Sequence, residues 1–268
     1  MTRKMVGLAA VVVLSLAATG CEKLKARDNL NKGVQAFKNA KYPEAEAFFQ
    51  RAVDLDPTFV TSHLYLATAY VNQYIPGAES PENLQKAAQA HKTFLKVLEL
   101  DPKNETATAS IASLYFQQKK LQDAKEWNKK LIALNPNNKD AYYTLGVIAW
   151  TEWLVPDREA RNKLGMKPED PGPLKKKDVR DELRAKYMPI LDEGIKNMEK
   201  ALEIDKEYDD AMAYMNLLIR YRADLMETPE EYNRETEIAD KWVDKALSTK
   251  KIKTERASQA GGIMVESK

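Results

Sequence analysis

A single cysteine, Cys21, stands in the 268 residues, so no intrachain disulfide can form and the fold must hold by packing alone. Histidine is almost as scarce, with only His63 and His91. Neither has Cys, His, Asp or Glu three or four residues onward, the spacing a helix-borne metal site would use, so both are expected as packed side chains. No glycine-rich loop follows a strand, no serine sits in a nucleophile elbow, and no convincing strand occurs at all. These absences argue against an enzyme and against any cofactor or metal. The apolar stretch over 5–18, broken by Gly7 and Ser15, is about 14 residues, too short to span a bilayer that needs about 20. Charge of one sign is lacking as well. The 42 lysines and arginines exceed the 40 acids by two, and Arg3 and Lys4, in an acid-free N-terminal segment, account for that excess. A nucleic-acid partner is therefore not indicated.

What is present is a repeated phrase. Val53-Asp54-Leu55-Asp56-Pro57, Leu98-Glu99-Leu100-Asp101-Pro102 and Ile132-Ala133-Leu134-Asn135-Pro136 each close an amphipathic stretch on Asp-Pro or Asn-Pro. The last two prolines are 34 residues apart, and a fixed period of this size marks a solenoid of helix pairs. Counting from Ala26 places Gly33, Tyr42, Ala45, Phe49, Ala52 and Pro57 at the small, bulky and terminating positions of the tetratricopeptide repeat, which this window resembles. A window from Glu105 resembles it too, through Ile111, Ala112, Tyr115, Leu121, Ala124 and Pro136, with Leu131 where a small residue is usual.

The resemblance implies an all-α, right-handed solenoid of about five tetratricopeptide-like helix pairs. They fall near 26–59, 60–104, 105–138, 139–208 and 209–248, with insertions in repeats 2, 4 and 5. Repeat 2 carries Leu66, Ala67, Tyr70, Ala90 and Phe94 around an insertion of about eleven residues after Tyr74. Ser80-Pro81 then reads as an N-cap with proline at the first helical position. Repeat 4 runs through Tyr142, Leu145, Gly146 and Trp150, and resumes at Gly194 and Met198 after an insertion at 155–180. Within it, 156–164 is expected as a short helix, 167–173 as a proline-rich loop and 175–203 as one long helix. Lys206 stands where the closing proline should be. In repeat 5, Thr228 and Glu231 have the spacing of a capping box. The residues 249–268 show no apolar period and are expected as a flexible charged tail, with Lys250, Lys251, Lys253 and Arg256 open to a weak electrostatic contact. The run Lys175-Lys176-Lys177 is interleaved with acids and reads as a solvated helix face.

The N-terminal segment 1–20 has the form of an export signal, and Leu16-Ala17-Ala18-Thr19-Gly20-Cys21 resembles a bacterial lipobox, with Ala18 where leucine is preferred. The resemblance implies lipidation at Cys21, a short linker over 21–25, and a lipid-anchored protein of the bacterial cell envelope, at the outer membrane and facing the periplasm. An ordinary signal peptide with a leftover cysteine, or a short membrane anchor, are the alternatives.

In proteins of this repeat type the first helix of each pair lines a concave face. Carried over by position, that face offers Leu30, Val34 and Phe37 in repeat 1, then Leu64, Thr68 and Val71 in repeat 2. Ala109, Ser113 and Phe116 follow in repeat 3, Tyr143, Val147 and Trp150 in repeat 4, and Leu217, Arg220 and Tyr221 in repeat 5. Leu30 and Val34 occupy places where a carboxylate-clamping member would have Lys and Asn, which disfavours that mode. The set is mostly apolar, and exposed apolar residues in this number need a cover, either the chain's own insertion or another protein. The expected function is a non-catalytic, membrane-anchored scaffold whose apolar groove binds a protein or peptide. Narrower versions are an assembly factor for outer-membrane barrels or type IV pili, or a glycan-enzyme accessory using Tyr143, Trp150 and Trp153 to stack on sugars.

Overall fold

The computed structural model describes residues 21–263, and among them no strand occurs. The helices are α1 (21–38), α2 (Tyr42–Leu55), α3 (Val60–Gln73), α4 (Pro81–Leu100), α5 (Glu105–Gln117), α6 (Leu121–Leu134), α7 (Lys139–Lys163), α8 (Lys177–Ile204), α9 (Asp209–Ala223) and α10 (Pro229–Ile263). They fall into two compact units, one reaching Lys130 and the other starting at Leu131. The proposed export signal over 1–20 lies outside the described residues. The expected linker does not: residues 21–25 are already the first turn of α1.

Helix ends follow local chemistry. Asp56 Oδ1 accepts both the Thr58 N–H at 3.2 Å and the Thr58 hydroxyl at 2.7 Å. Asn135 Oδ1 accepts the Asn137 N–H at 3.0 Å, and Asp205 Oδ1 accepts the Glu207 N–H at 2.9 Å. Proline is absent after Asp205, yet the turn forms. The short acidic or amide side chain makes the turn, and proline only bars another helical residue. Ser80 caps α4 as expected, accepting the Asn83 N–H at 3.2 Å, and Asn104 and Asn138 cap α5 and α7 in the same way, accepting the Ala107 N–H at 2.9 Å and the Ala141 N–H at 3.0 Å. Thr228 and Glu231 cap each other reciprocally, at 3.2 and 3.3 Å.

In the first unit α2 packs on α3, α3 on α4 and α4 on α5, around Phe49, Leu66, Phe94, Val97, Ile111 and Leu114. Ala45, Ala90 and Ala124 are fully buried, as close approach of paired helices requires. The insertion after Tyr74 is not a loose loop. The Asn83 side chain accepts the Ile75 N–H at 2.7 Å and donates to the carbonyls of Ile75 and Ala78 at 2.9 and 2.7 Å. Gly77 turns that segment with φ +82°, a value side chains disfavour.

The second unit pairs α7 with α8, α8 with α9 and α9 with α10, and α7 also touches α9. Two expectations fail here. The segment 156–163 is not a separate helix but the last turns of α7, which runs through Pro156. Proline removes one backbone bond, but burial of Asp157, Ala160 and Arg161 just beyond it keeps the helix going. Only 164–176 is loop, and it is pinned by Met166 and Leu174, both buried. The flexible tail is the other failure: through residue 263 it continues α10. Lys253 pairs with Asp209, and Arg256 Nη1 lies 2.8 Å from Glu207 Oε1. Those two cations are therefore engaged within the unit rather than open to an outside surface.

Candidate partner-binding face

In the first unit the expected groove residues are mostly half-buried. Val34, Phe37, Leu64 and Val71 pack their inner edges against the core, and Ala109 and Phe116 are likewise half-buried. Thr68 turns its hydroxyl onto the Leu64 carbonyl at 2.8 Å. Leu30 is a correction: at 9% exposed it belongs to the core and offers a partner almost nothing. The two histidines have packing roles. His63 Nε2 donates to the Pro57 carbonyl at 2.8 Å, and His91 Nε2 meets the Tyr115 hydroxyl at 2.9 Å. Burial, then Lys120, holds the His91 imidazole below its ordinary pKa. Among the described residues no three metal-ligating side chains come together.

In the second unit a face forms along α7 and α9. Tyr143, Trp150, Asp157 and Arg161 recur at helical spacing on α7, and Asp210, Tyr214, Leu217 and Tyr221 do so on α9, with Asp224 just past its end. Val147 lies on the same stripe but is buried, a second correction to the expected contacts. Four rings form a row. Tyr143 stands 5.1 Å from Tyr208 and 5.5 Å from Tyr214, and Trp150 stands 5.5 Å from Tyr214 in an edge-to-face arrangement. All four are half-buried, leaving part of each ring open. Burial raises the Tyr143 hydroxyl pKa, with Tyr214 and Asp210 adding to it. Burial also raises that of Tyr208, helped by the hydrogen bond it donates to Asp140 at 3.0 Å. Trp153, offered by the sequence for stacking, is wholly buried against Tyr187.

The end of this face is closed by the 164–176 loop, which makes one wall of a cleft of about 630 Å³. Pro168, Glu169 and Asp170 supply that wall, and Leu217, Arg220 and Tyr221, all half-buried, lie opposite. The insertion thus covers the groove at repeat 5 in part and leaves the cleft open. At its base Arg161 lies 3.3 Å by Nε from Asp157 Oδ1 and 2.7 Å by Nη2 from Asp224 Oδ2. Its Nη1 donates to the loop carbonyls of Lys167 and Asp170 at 3.2 and 3.1 Å. Two buried carboxylates therefore share one guanidinium, and Asp224 Oδ1 has no hydrogen-bond partner.

Burial pushes the Asp224 carboxyl up to about 6 from 3.8 even though Arg161 opposes the shift. Folding therefore favours the protonated acid. The contribution to stability is greatest below pH ~4, falls as the pH rises towards about 6, and stays low above that. On the order of 3 kcal/mol is at stake. We expect the urea midpoint of the wild type to fall between pH 4 and 7 by more than that of Asp224→Asn. Equal pH dependence in the two proteins would refute the assignment.

Tyr208, Tyr214, Asp157, Arg161 and Asp224 were not reached from the sequence. A usable signal existed: charged residues occupy apolar stripe positions, Asp157 seven residues after Trp150 and Asp224 seven after Leu217.

The sequence over 83–148 matches the tetratricopeptide repeat family. Sperm-associated antigen 1 of Mus musculus is 33% identical over 117 residues, covering 44% of this chain and 12% of that protein. The anaphase-promoting complex subunit CDC16 of Saccharomyces cerevisiae is 29% identical over 191 residues, 66% of this chain and 20% of its own length. The chain thus matches only a small part of these relatives. Among solved structures, MamA superposes with a TM-score of 0.55 at 19% identity, over 86% of this chain and 94% of its own. YrrB, described as a TPR protein with an unusual peptide-binding site, gives 0.52 at 16% identity over 83% and 90%. Residues 83–148 accordingly match the tetratricopeptide repeat, and the protein has an all-α fold of tetratricopeptide-like helix pairs.

Proposed function

We propose that this chain is a non-catalytic scaffold that binds a protein partner along the concave faces of its helix pairs, tethered to a bacterial membrane by lipid on Cys21. The row Tyr143–Tyr214–Trp150 carries the reading. Its rings are only half-buried among the described residues. Half-open aromatic rings beside apolar side chains are the usual anchors of protein recognition. A fold shared with YrrB, described as having a peptide-binding site, agrees with this. For the tether, Cys21 is exposed at the start of α1, and no helix among the described residues is long and apolar enough to cross a membrane. The lipobox-like sequence supports an envelope location, and Glu22, rather than Asp, after the cysteine supports the outer membrane, facing the periplasm.

Crosslinking in cells, followed by mass spectrometry, would identify the neighbour. Trp150→Glu, in protein shown to fold, is expected to lower its capture about tenfold or more, the size of a lost aromatic anchor. Phe116→Glu tests the first unit in the same way. Unchanged capture in both variants would overturn the groove. Radiolabelled palmitate should enter the wild type and not Cys21→Ser, and absence of label from the wild type would remove the tether.

A further inference from the structure

Which partner chemistry suits the α7–α9 face is decided by its uncommitted charges. Four carboxylates (Asp157, Glu169, Asp170 and Asp224) and three guanidiniums (Arg158, Arg161 and Arg220) line the cleft. Two of the guanidiniums are taken. Arg220 is held by Asp240 and by Asn216, and Arg161 is divided between two acids and two loop carbonyls. Arg158 is left, exposed at the rim.

On the acidic side, Asp170 accepts the Lys167 N–H at 3.0 Å, and Glu169 stands exposed. Asp224 is only 3% exposed, lines the cleft, and keeps Oδ1 unpartnered. Gly172 borders this atom: a Cβ there would collide with Oδ1 and come within 2.7 Å of the Tyr232 ring. At the other end of the face Asp210 is exposed beside the tyrosines. Acids at both ends of a row of rings make a surface for cations, since ring faces and carboxylates both attract them. An acidic ligand would instead bring a further negative charge to two carboxylates that already share one counter-ion.

We propose that the α7–α9 face receives an extended basic segment of the partner protein, with a lysine or arginine side chain entering the cleft to pair with Asp224. This rests on the scaffold reading and names the partner's chemistry. The aliphatic stem lies along Leu217 and Tyr221, and the charged head supplies the positive charge that Asp157 and Asp224 lack between them. Further basic residues of the segment pass Tyr214 and Trp150 towards Asp210.

The test is a library of acetylated, amidated nonapeptides, each with one fixed residue, incubated with the full chain and sequenced after capture. Lysine and arginine should be enriched in the bound pool, and Asp224→Asn should abolish the enrichment. For an enriched peptide followed by fluorescence anisotropy, Asp224→Asn should weaken binding about tenfold or more, as losing a charged hydrogen bond does. Glu169→Gln, at an exposed site, should weaken it about threefold and covers the case in which the Asp224 variant fails to fold. Asp54→Asn, exposed in the first unit, should change nothing. Enrichment of acidic or purely apolar residues overturns the basic occupant and leaves the scaffold standing. No enrichment, with capture of the crosslinked neighbour still lost in Trp150→Glu, likewise removes the basic occupant alone. No enrichment together with unchanged capture overturns both.

Discussion

Valine in place of Gly194 is expected to destabilise the second unit by about 3 kcal/mol or more, at the top of the range for overpacking a core. A Cβ at Gly194 in α8 would stand 2.7 Å from Ala149 Cβ in α7 and 3.2 Å from Leu218 Cδ2 in α9. Ala149 has no rotamer to change, so relief requires a backbone shift of α7 or α8, and α8 also packs against α9. Gly146 gives the contrast. A Cβ there would meet Met198 Cε at 2.5 Å, a flexible end that can swing aside, although the Gly194 carbonyl at 3.1 Å also resists. Gly146→Ala should therefore cost less, about 1–2 kcal/mol. A domain with about 5–15 kcal/mol of stability would survive the second change far better than the first. Urea unfolding followed by circular dichroism ranks the two. A wild-type midpoint for Gly194→Val would mean that α7 and α8 do not approach as closely as their glycines imply.

The same glycines show what the sequence made legible. Gly33, Gly146 and Gly194 could be assigned to close helix contacts because a missing side chain at a fixed repeat position has one physical use. Helix ends were legible because Asp56, Asn135 and Thr228 act on backbone groups two or three residues away. The features that were not legible depend on partners distant in sequence. Residues 249–263 have no apolar stripe, and Lys253 and Arg256 tie this end of α10 to Asp209 and Glu207 at the α8–α9 junction. Pro156 suggested a break in α7, but packing beyond it outweighs one lost backbone bond. The expected concave residues divided, because the positions that face a groove also face the neighbouring helix: Leu30 and Val147 went into the core. The cleft base was hidden most completely. Arg161 lies in α7 and Asp224 at the end of α9, and only the folded chain shows that a loop insertion uses them as its anchor.

That anchor yields the second large effect. Arg161→Met should destabilise the second unit by about 3–5 kcal/mol at neutral pH, as breaking a buried ion pair does. Methionine fills much of the same space but leaves Asp157 and Asp224 buried without a counter-charge, and it takes the Nη1 donor from the Lys167 and Asp170 carbonyls. Both acids should then hold their protons to higher pH than in the wild type, so much of the loss should be recovered on acidification to pH ~5. The loop should also open, and trypsin should cut after Lys175 or Lys176 about a hundredfold faster, since local opening governs cleavage of a pinned segment. Replacing all three residues together, Arg161→Met with Asp157→Leu and Asp224→Leu, separates charge from tethering. Removing a whole buried ionic cluster is often neutral or stabilising, so the midpoint should return to near the wild-type value. The loop would still lack its guanidinium donor and should remain sensitive to trypsin. Recovery of stability without recovery of protection identifies Arg161 as the loop's tether as well as a counter-ion. If the single Arg161→Met variant keeps both the wild-type midpoint and its resistance to trypsin at neutral pH, the buried triad does not hold the cleft together.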